Sequence, residues 1–240
     1  MATDTPRGAV TFFEDFTYDD ATDKPEYAVD TDPAVNIVSG SGGEYGVMRI
    51  TCDAGQTNIG GIAFGNLQWS AYDSYLYFEA RVKLSALGTA SERVFLGFTD
   101  KQEDTLTEMP FTGATTVLTA SGDPDDAVGF YWEGDMTGAY WQPGSVDGDA
   151  AVIGNSANAL SAAERTNATF TAATWHTVAF RIDSGATYAE FSVDGKLVYT
   201  YHSDTVITSD VPLIPVLVAT EGTTGINVDL DYVYVEAGRA

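Results

Sequence analysis

The sequence predicts an all-β fold, a two-sheet antiparallel β-sandwich, and three observations lead there. Short segments alternate apolar and polar residues, an Asp-Gly pair joins two of them, and helical periodicity is scarce. Phe78-Glu79-Ala80-Arg81-Val82-Lys83-Leu84 alternates without a fault, as a strand with one face on a core does. Val94-Phe95-Leu96-Gly97-Phe98 is mostly apolar and suits a central strand covered on both faces. Within 175–183, Val178, Phe180 and Ile182 share one face. Segments 189–193 and 196–201 flank Asp194-Gly195, a pair that tolerates positive φ and so marks a two-residue hairpin turn. Unbroken pairing across that turn sets Phe191 opposite Val198.

Further strands are expected at 10–16, 35–38, 47–52, 59–64, 128–132, 139–142 and 226–235. Segment 212–219 reads as a strand whose Pro212 and Pro215 restrict ladder pairing near its start. Residues 157–165 could form a helical turn or two, marginal when isolated. Segments 100–126 and 143–169, rich in Gly, Asp, Ser, Thr and Ala, read as long surface loops. With no linker and no fixed-period repeat, the expectation is one domain over residues 1–240, its sandwich core at about 10–236.

Composition narrows the function classes. A chain of 240 residues can bury roughly 70–75% of its unfolded surface, so neither disulfide nor metal is needed for folding. Cys52 is the only cysteine and reads as a small core hydrophobe. Against 35 acidic residues stand 11 basic ones, a formal charge of -24. Such a surface repels phosphate backbones and anionic lipid, so neither nucleic acid nor membrane is an expected partner. It suits a saline habitat, where screening removes self-repulsion, or a surface that collects divalent cations or meets a basic partner. The N-terminal segment Met1-Ala2-Thr3-Asp4-Thr5-Pro6-Arg7 has no basic-then-apolar pattern, so a secretory signal is not expected.

Candidate chemistry is sparse. Glycoside hydrolysis needs two carboxylates across one bond. The nearest pair on one strand, Asp229 and Asp231, reads better as paired surface carboxylates. Glu79 and Arg81 share a strand face and are expected to form an ion pair. His176 and His202 are the only histidines; the first reads as structural at a strand start, the second as exposed. With one cysteine besides, no zinc spacing exists and no catalytic residue is assigned. Asp123, Asp125 and Asp126 offer hard oxygens in one loop, as do Asp147 and Asp149, and make calcium a possible ligand; no other cofactor is expected. Tyr131, Trp132, Tyr140 and Trp141, with Glu133 and Asp135 at a hairpin tip, could either form a sugar-stacking platform or fill the core. Trp69, Tyr72, Tyr75 and Tyr77 read as core or edge packing.

Several of these segments resemble the concanavalin A-like lectin/glucanase superfamily, in particular its laminin G-like jelly-roll branch. Trp175-His176-Thr177-Val178 followed by Phe191-Ser192-Val193-Asp194-Gly195 is similar to that branch's hairpin. Val10-Thr11-Phe12-Phe13-Glu14-Asp15-Phe16 resembles the opening strand, and Val228-Asp229-Leu230-Asp231-Tyr232-Val233-Tyr234-Val235 the closing one. Phe78 to Val82 and Val94 to Phe98 resemble strands of the middle. The resemblance implies a concanavalin A-like jelly roll, a fold that serves lectins, polysaccharide hydrolases and structural modules alike. The glucanase branch carries Glu-x-Asp-x-Glu on one strand, and no such triplet occurs here.

The leading expectation is therefore a non-catalytic virion structural module, a bacteriophage capsid decoration protein or tail-appendage component. The middle strands resemble jelly-roll modules of phage structural proteins, and lysis would release a sandwich that lacks signal and disulfide. Its expected partners are other virion or capsid proteins, or copies of itself in a symmetric oligomer. The alternative is a carbohydrate-binding module for cell-surface glycan; the third reading is a polysaccharide hydrolase or lyase.

Overall fold

A computed structural model describes residues 9–16, 27–29, 34–38, 46–52, 59–64, 69–72, 74–87, 92–101, 109–134, 136, 138–202, 205–220, 222 and 225–238. The first strands are β1 (Val10–Glu14), β2 (Tyr27–Val29), β3 (Ala34–Val38), β4 (Val47–Cys52), β5 (Ile59–Phe64), β6 (Leu76–Leu84) and β7 (Arg93–Thr99). Next come β8 (Phe111–Ala114), β9 (Val117–Ala120), β10 (Asp126–Glu133), β11 (Gln142–Asp147), β12 (Ala150–Ala151) and the helix α1 (Ala162–Ala168). The chain closes with β13 (His176–Ile182), β14 (Tyr188–Val193), β15 (Lys196–His202), β16 (Ile214–Thr220) and β17 (Ile226–Ala237).

These strands form two large antiparallel sheets. Sheet I runs β15-β14-β13-β6-β17-β4-β3, with β1 also beside β17; sheet II runs β12-β11-β10-β7-β16-β5-β2. The expected β-sandwich is what forms. Alternation decides which side chains meet between the sheets. In β6, Leu76, Phe78, Ala80, Val82 and Leu84 are buried while the residues between them are half-exposed. Phe180 stacks on Phe78 at 5.2 Å and on Phe191 at 5.5 Å, and packs edge-on against Phe98 of sheet II at 5.9 Å. Each such ring contributes about 3 kcal/mol by leaving water. Cys52 is buried at the same layer, as its alternation predicts.

Several details differ from the sequence reading. The Asp194-Gly195 turn forms with both residues at positive φ, 50° and 72°. A β-bulge between Phe191 and Ser192, however, pairs Phe191 with Tyr199 instead of Val198. The two supposed loops hold structure: the β8–β9 hairpin in the first, and β11, β12 and α1 in the second. Segment 139–142 enters its ladder late, since β10 pairs with β11 from Tyr131↔Gln142 to Asp126↔Asp147. Helix α1 is short but firmly started, because Ser161 and Glu164 form a reciprocal capping box. Pro215 is tolerated in a central strand because pairing of β16 with β5 begins only at Val216.

One irregularity shapes the molecule's outer surface. Along β17, Leu230 pairs with Val82 but Tyr232 pairs with Arg81, so Asp231 is an extra residue. Before this bulge Val228 and Leu230 point into the core; after it Val233 and Val235 do. Tyr232, Tyr234 and Glu236 are thereby turned outward.

Candidate functional site

A sandwich offers two outer sheet faces, and here they differ. On sheet II, Phe98 and Phe130 point inward to Phe180, so the alternate residues Ala127, Gly129, Tyr131 and Glu133 of β10 point outward. They are nevertheless buried, because every residue of β10 is. The β8–β9 hairpin lies over them: the Phe111 ring sits 5.9 Å from both Phe95 and Tyr131. Gly144 is needed for this approach, since a Cβ there would come within 2.7 Å of Leu118 and 2.9 Å of the Phe111 ring.

Glu133 fastens the cover. Its Oε1 accepts from Arg93 Nε at 2.7 Å, and its Oε2 from Tyr131 Oη at 2.6 Å and the Gly113 amide at 2.7 Å. The carboxylate is 2% exposed. Burial, with this anion beside it, pushes the Tyr131 hydroxyl well above its usual range. Among the described strand residues of this face Glu133 is the sole carboxylate, so no acid–base pair stands on it.

The four aromatics read as a possible sugar platform are interior. Tyr131, Trp132, Tyr140 and Trp141 are all at most 3% exposed. Trp132 and Trp141 both pack on Phe170, at 6.0 and 5.2 Å, because the segment after α1 closes over them. The platform reading is corrected to core. Asp135 lies outside the described residues.

The acidic loops gather at one end of sheet II, but their side chains turn to different partners. Asp123 pairs with Lys101 at 3.3 Å, Asp125 shares a hydrogen bond with Asp149, and Asp126 accepts from the Thr208 amide at 2.6 Å. The Thr208 hydroxyl donates to Asp147 at 2.9 Å. Burial raises the pKa of Asp100 and Asp126, and the contact with Asp125 raises that of Asp149. Among the described residues no three His, Cys, Asp or Glu side chains converge as metal ligands.

His176 is held as a structural group: its Nε2 accepts from the Thr171 amide at 3.1 Å and its Nδ1 meets Asp194 at 2.7 Å. The first contact requires the ring proton to sit on Nδ1. His202 is exposed and packs on the Tyr188 ring at 4.5 Å. A cavity of about 320 Å³ lies where the sheets meet near the chain ends, lined by Val10, Trp69, Ser70, Ala237 and Gly238. None of these carries a titratable side chain.

The outer face of sheet I is open and polar. Glu79 does not pair with Arg81, as the sequence suggested; it accepts from Tyr77 Oη at 2.6 Å and Tyr232 Oη at 2.8 Å. Arg81 turns instead to Asp231 at 2.7 Å, which the bulge brings within reach. Asp229 is no surface carboxylate either. It is 2% exposed, gripped by Arg49 at 2.6 and 2.8 Å and by Lys83 at 3.2 Å. Lys83 and Arg81 lie over the Trp175 ring at 4.3 and 5.1 Å. Glu236 accepts from both Tyr75 and Tyr234, contacts that hold it below the usual carboxylate range. Tyr75 and Tyr77 are thus half-buried on this face, Tyr72 is 58% exposed, and of the four rings read as packing Trp69 alone is core.

Comparison with known proteins finds likeness in fold only. No family model matches the sequence, and neither does any curated protein sequence. Among solved structures, an endo-1,3-β-glucanase from Streptomyces sioyaensis superposes with a TM-score of 0.63 at 15% identity, covering 100% of both chains. The carbohydrate recognition domain of Emp47p gives 0.62 at 8% identity, over 97% of this chain and 98% of that one. The alginate lyase Aly36B gives 0.57 at 11%, over 94% and 96%. Identities this low carry the architecture and not the chemistry. No helix of the described residues is long and apolar enough to cross a membrane. With its two antiparallel sheets and these neighbours, the chain has a concanavalin A-like β-sandwich jelly-roll fold.

Proposed function

We propose that this protein is a non-catalytic, lectin-like module that binds glycan. The observation that carries this reading is the closed outer face of sheet II. Polysaccharide cleavage by paired carboxylates needs two of them flanking one bond, roughly 5–9.5 Å apart, in a cleft open to substrate. Among its described strand residues that face offers Glu133 alone, locked to Arg93, Tyr131 and Gly113 beneath a hairpin. Among structures of this fold is a carbohydrate recognition domain, that of Emp47p, which makes glycan a fitting ligand class. A phage capsid decoration or tail-appendage component is a separate reading, in which the scaffold docks other virion proteins, and the solved structures of this fold named above do not favour it.

The test is a glycan array read alongside a product-release assay on the same polysaccharides. Retention of at least one glycan without released ends is the expected result. Release of reducing or unsaturated ends by the wild-type protein would overturn the proposal.

A further inference from the structure

Strand β6 with the residue just before it, and strand β17, carry the same five-residue pattern. Tyr75-Leu76-Tyr77-Phe78-Glu79 and Tyr232-Val233-Tyr234-Val235-Glu236 both read Tyr, apolar, Tyr, apolar, Glu. The strands pair antiparallel, with Tyr77 opposite Glu236 and Glu79 opposite Tyr234. A local two-fold axis therefore relates the two segments, and the hydrogen bonds obey it. Glu79 accepts from Tyr77 on its own strand and from Tyr232 across; Glu236 accepts from Tyr234 on its own strand and from Tyr75 across. Near the axis the Tyr77 and Tyr234 rings meet edge-on at 6.0 Å. At one side Phe13, 59% exposed, packs on Tyr232 at 6.0 Å; at the other Arg181 covers the Tyr75 ring at 4.7 Å.

Resting on the glycan-binding reading, we infer that a neutral polysaccharide lies across this pair of Tyr–Glu–Tyr clamps on the outer face of sheet I. Each hydroxyl tied to a carboxylate fixes its ring, so little side-chain entropy remains to be lost on stacking. Each carboxylate accepts two tyrosines and has about four acceptor sites, leaving capacity for donors from sugar hydroxyls. The recognition groups are thus aromatic faces and acceptors, which suit hydroxyl donors and repel carboxylates and sulfates.

Charge points the same way. Arg49, Arg81, Lys83 and Arg181, four of the chain's 11 basic residues, lie on this face beside Glu79, Glu190, Asp229, Asp231 and Glu236. The face is nearly balanced, while the molecule as a whole carries -24. A polyanion such as alginate must cross that field to arrive, whereas a neutral chain does not.

The experiment measures binding of a soluble neutral β-glucan, a galactomannan and alginate by affinity electrophoresis and calorimetry. Wild type is compared with Tyr77→Ala, Tyr234→Ala and Phe13→Ala, and Tyr77→Phe serves as a variant that keeps the ring. Binding of a neutral polymer is expected, weakened about tenfold or more by either tyrosine-to-alanine change, less by Phe13→Ala, and least by Tyr77→Phe. Thermal unfolding checks that each variant is folded, and Phe13→Ala, at an exposed position, keeps the test sound if a tyrosine variant is not. Neutral-glycan binding untouched by all four variants would overturn this location and leave the lectin reading standing. Binding of alginate in preference would overturn the ligand class. No binding of any glycan here or on the array would overturn both; a face occupied by a second copy, seen as a dimer that Phe13→Ala dissolves, would overturn the location alone.

Discussion

The outer faces of the two sheets were built from the same alternation and put to opposite uses. On sheet II the outward residues beneath the β8–β9 hairpin are mostly small or apolar, and that hairpin has settled onto them, held by one buried carboxylate with three donors. On sheet I the outward residues are tyrosines, glutamates and cations that pair among themselves and need no cover. The first face adds to the core, while the second is finished as a surface. A jelly roll's concealed and presented sides are thus decided by what each strand sets on its outer positions, since the inner positions of both sheets are equally apolar.

Three changes would break or sharpen this contrast. The largest effect is expected from Glu133→Ala, which leaves Arg93, the Tyr131 hydroxyl and the Gly113 amide without their acceptor. A loss of about 3 kcal/mol follows for removing one partner of a buried ion pair, measured by urea unfolding, with hydrogen exchange rising first in 111–120. Gly144→Val comes next. Its side chain would collide with Leu118 and Phe111, and overpacking of this kind costs about 1–3 kcal/mol; an unchanged melting temperature would refute the close cover. The smallest effect concerns the open face at high pH. Tyr232, mainly through burial, and Tyr234, mainly through its bond to Glu236, are both pushed up to about 12 from 10.0. Because the folded values are raised, their stabilisation is whole below pH 10 and lost as pH climbs through about 12. Exposure makes it modest. Wild type should lose more stability over that window than Tyr232→Phe/Tyr234→Phe, followed by thermal melts.

The sandwich itself was legible because apolar alternation is a local record of which side faces the core. Phe78 and Phe180 could be assigned inward from spacing alone, and Asp194-Gly195 announced its turn. What escaped was set by contacts distant in sequence. The β8–β9 hairpin consists of short strands whose outline in sequence is that of a polar loop, and only packing on Phe95 and Tyr131 gives it purpose. The bulge at Phe191 is invisible to a rule that counts pairs outward from a turn. Trp132 and Trp141 could not be placed without knowing that Phe170, more than 25 residues on, covers both. The tyrosine clamps did leave a trace: the repeated Tyr-x-Tyr-x-Glu stands in plain view, and only its antiparallel juxtaposition was hidden.

Asp231 shows how much one residue can decide. Upstream of it the even-numbered positions of β17 belong to the interior, and downstream the odd-numbered ones do. Were Asp231 paired regularly with Arg81 instead of bulging out, the two sets would exchange over the strand's second half, sending Tyr232, Tyr234 and Glu236 inside and Val233 and Val235 out. The bulge, by absorbing that one residue, keeps the tyrosines on the surface, and a chain shortened by Asp231 would keep them there too while losing the ion pair to Arg81.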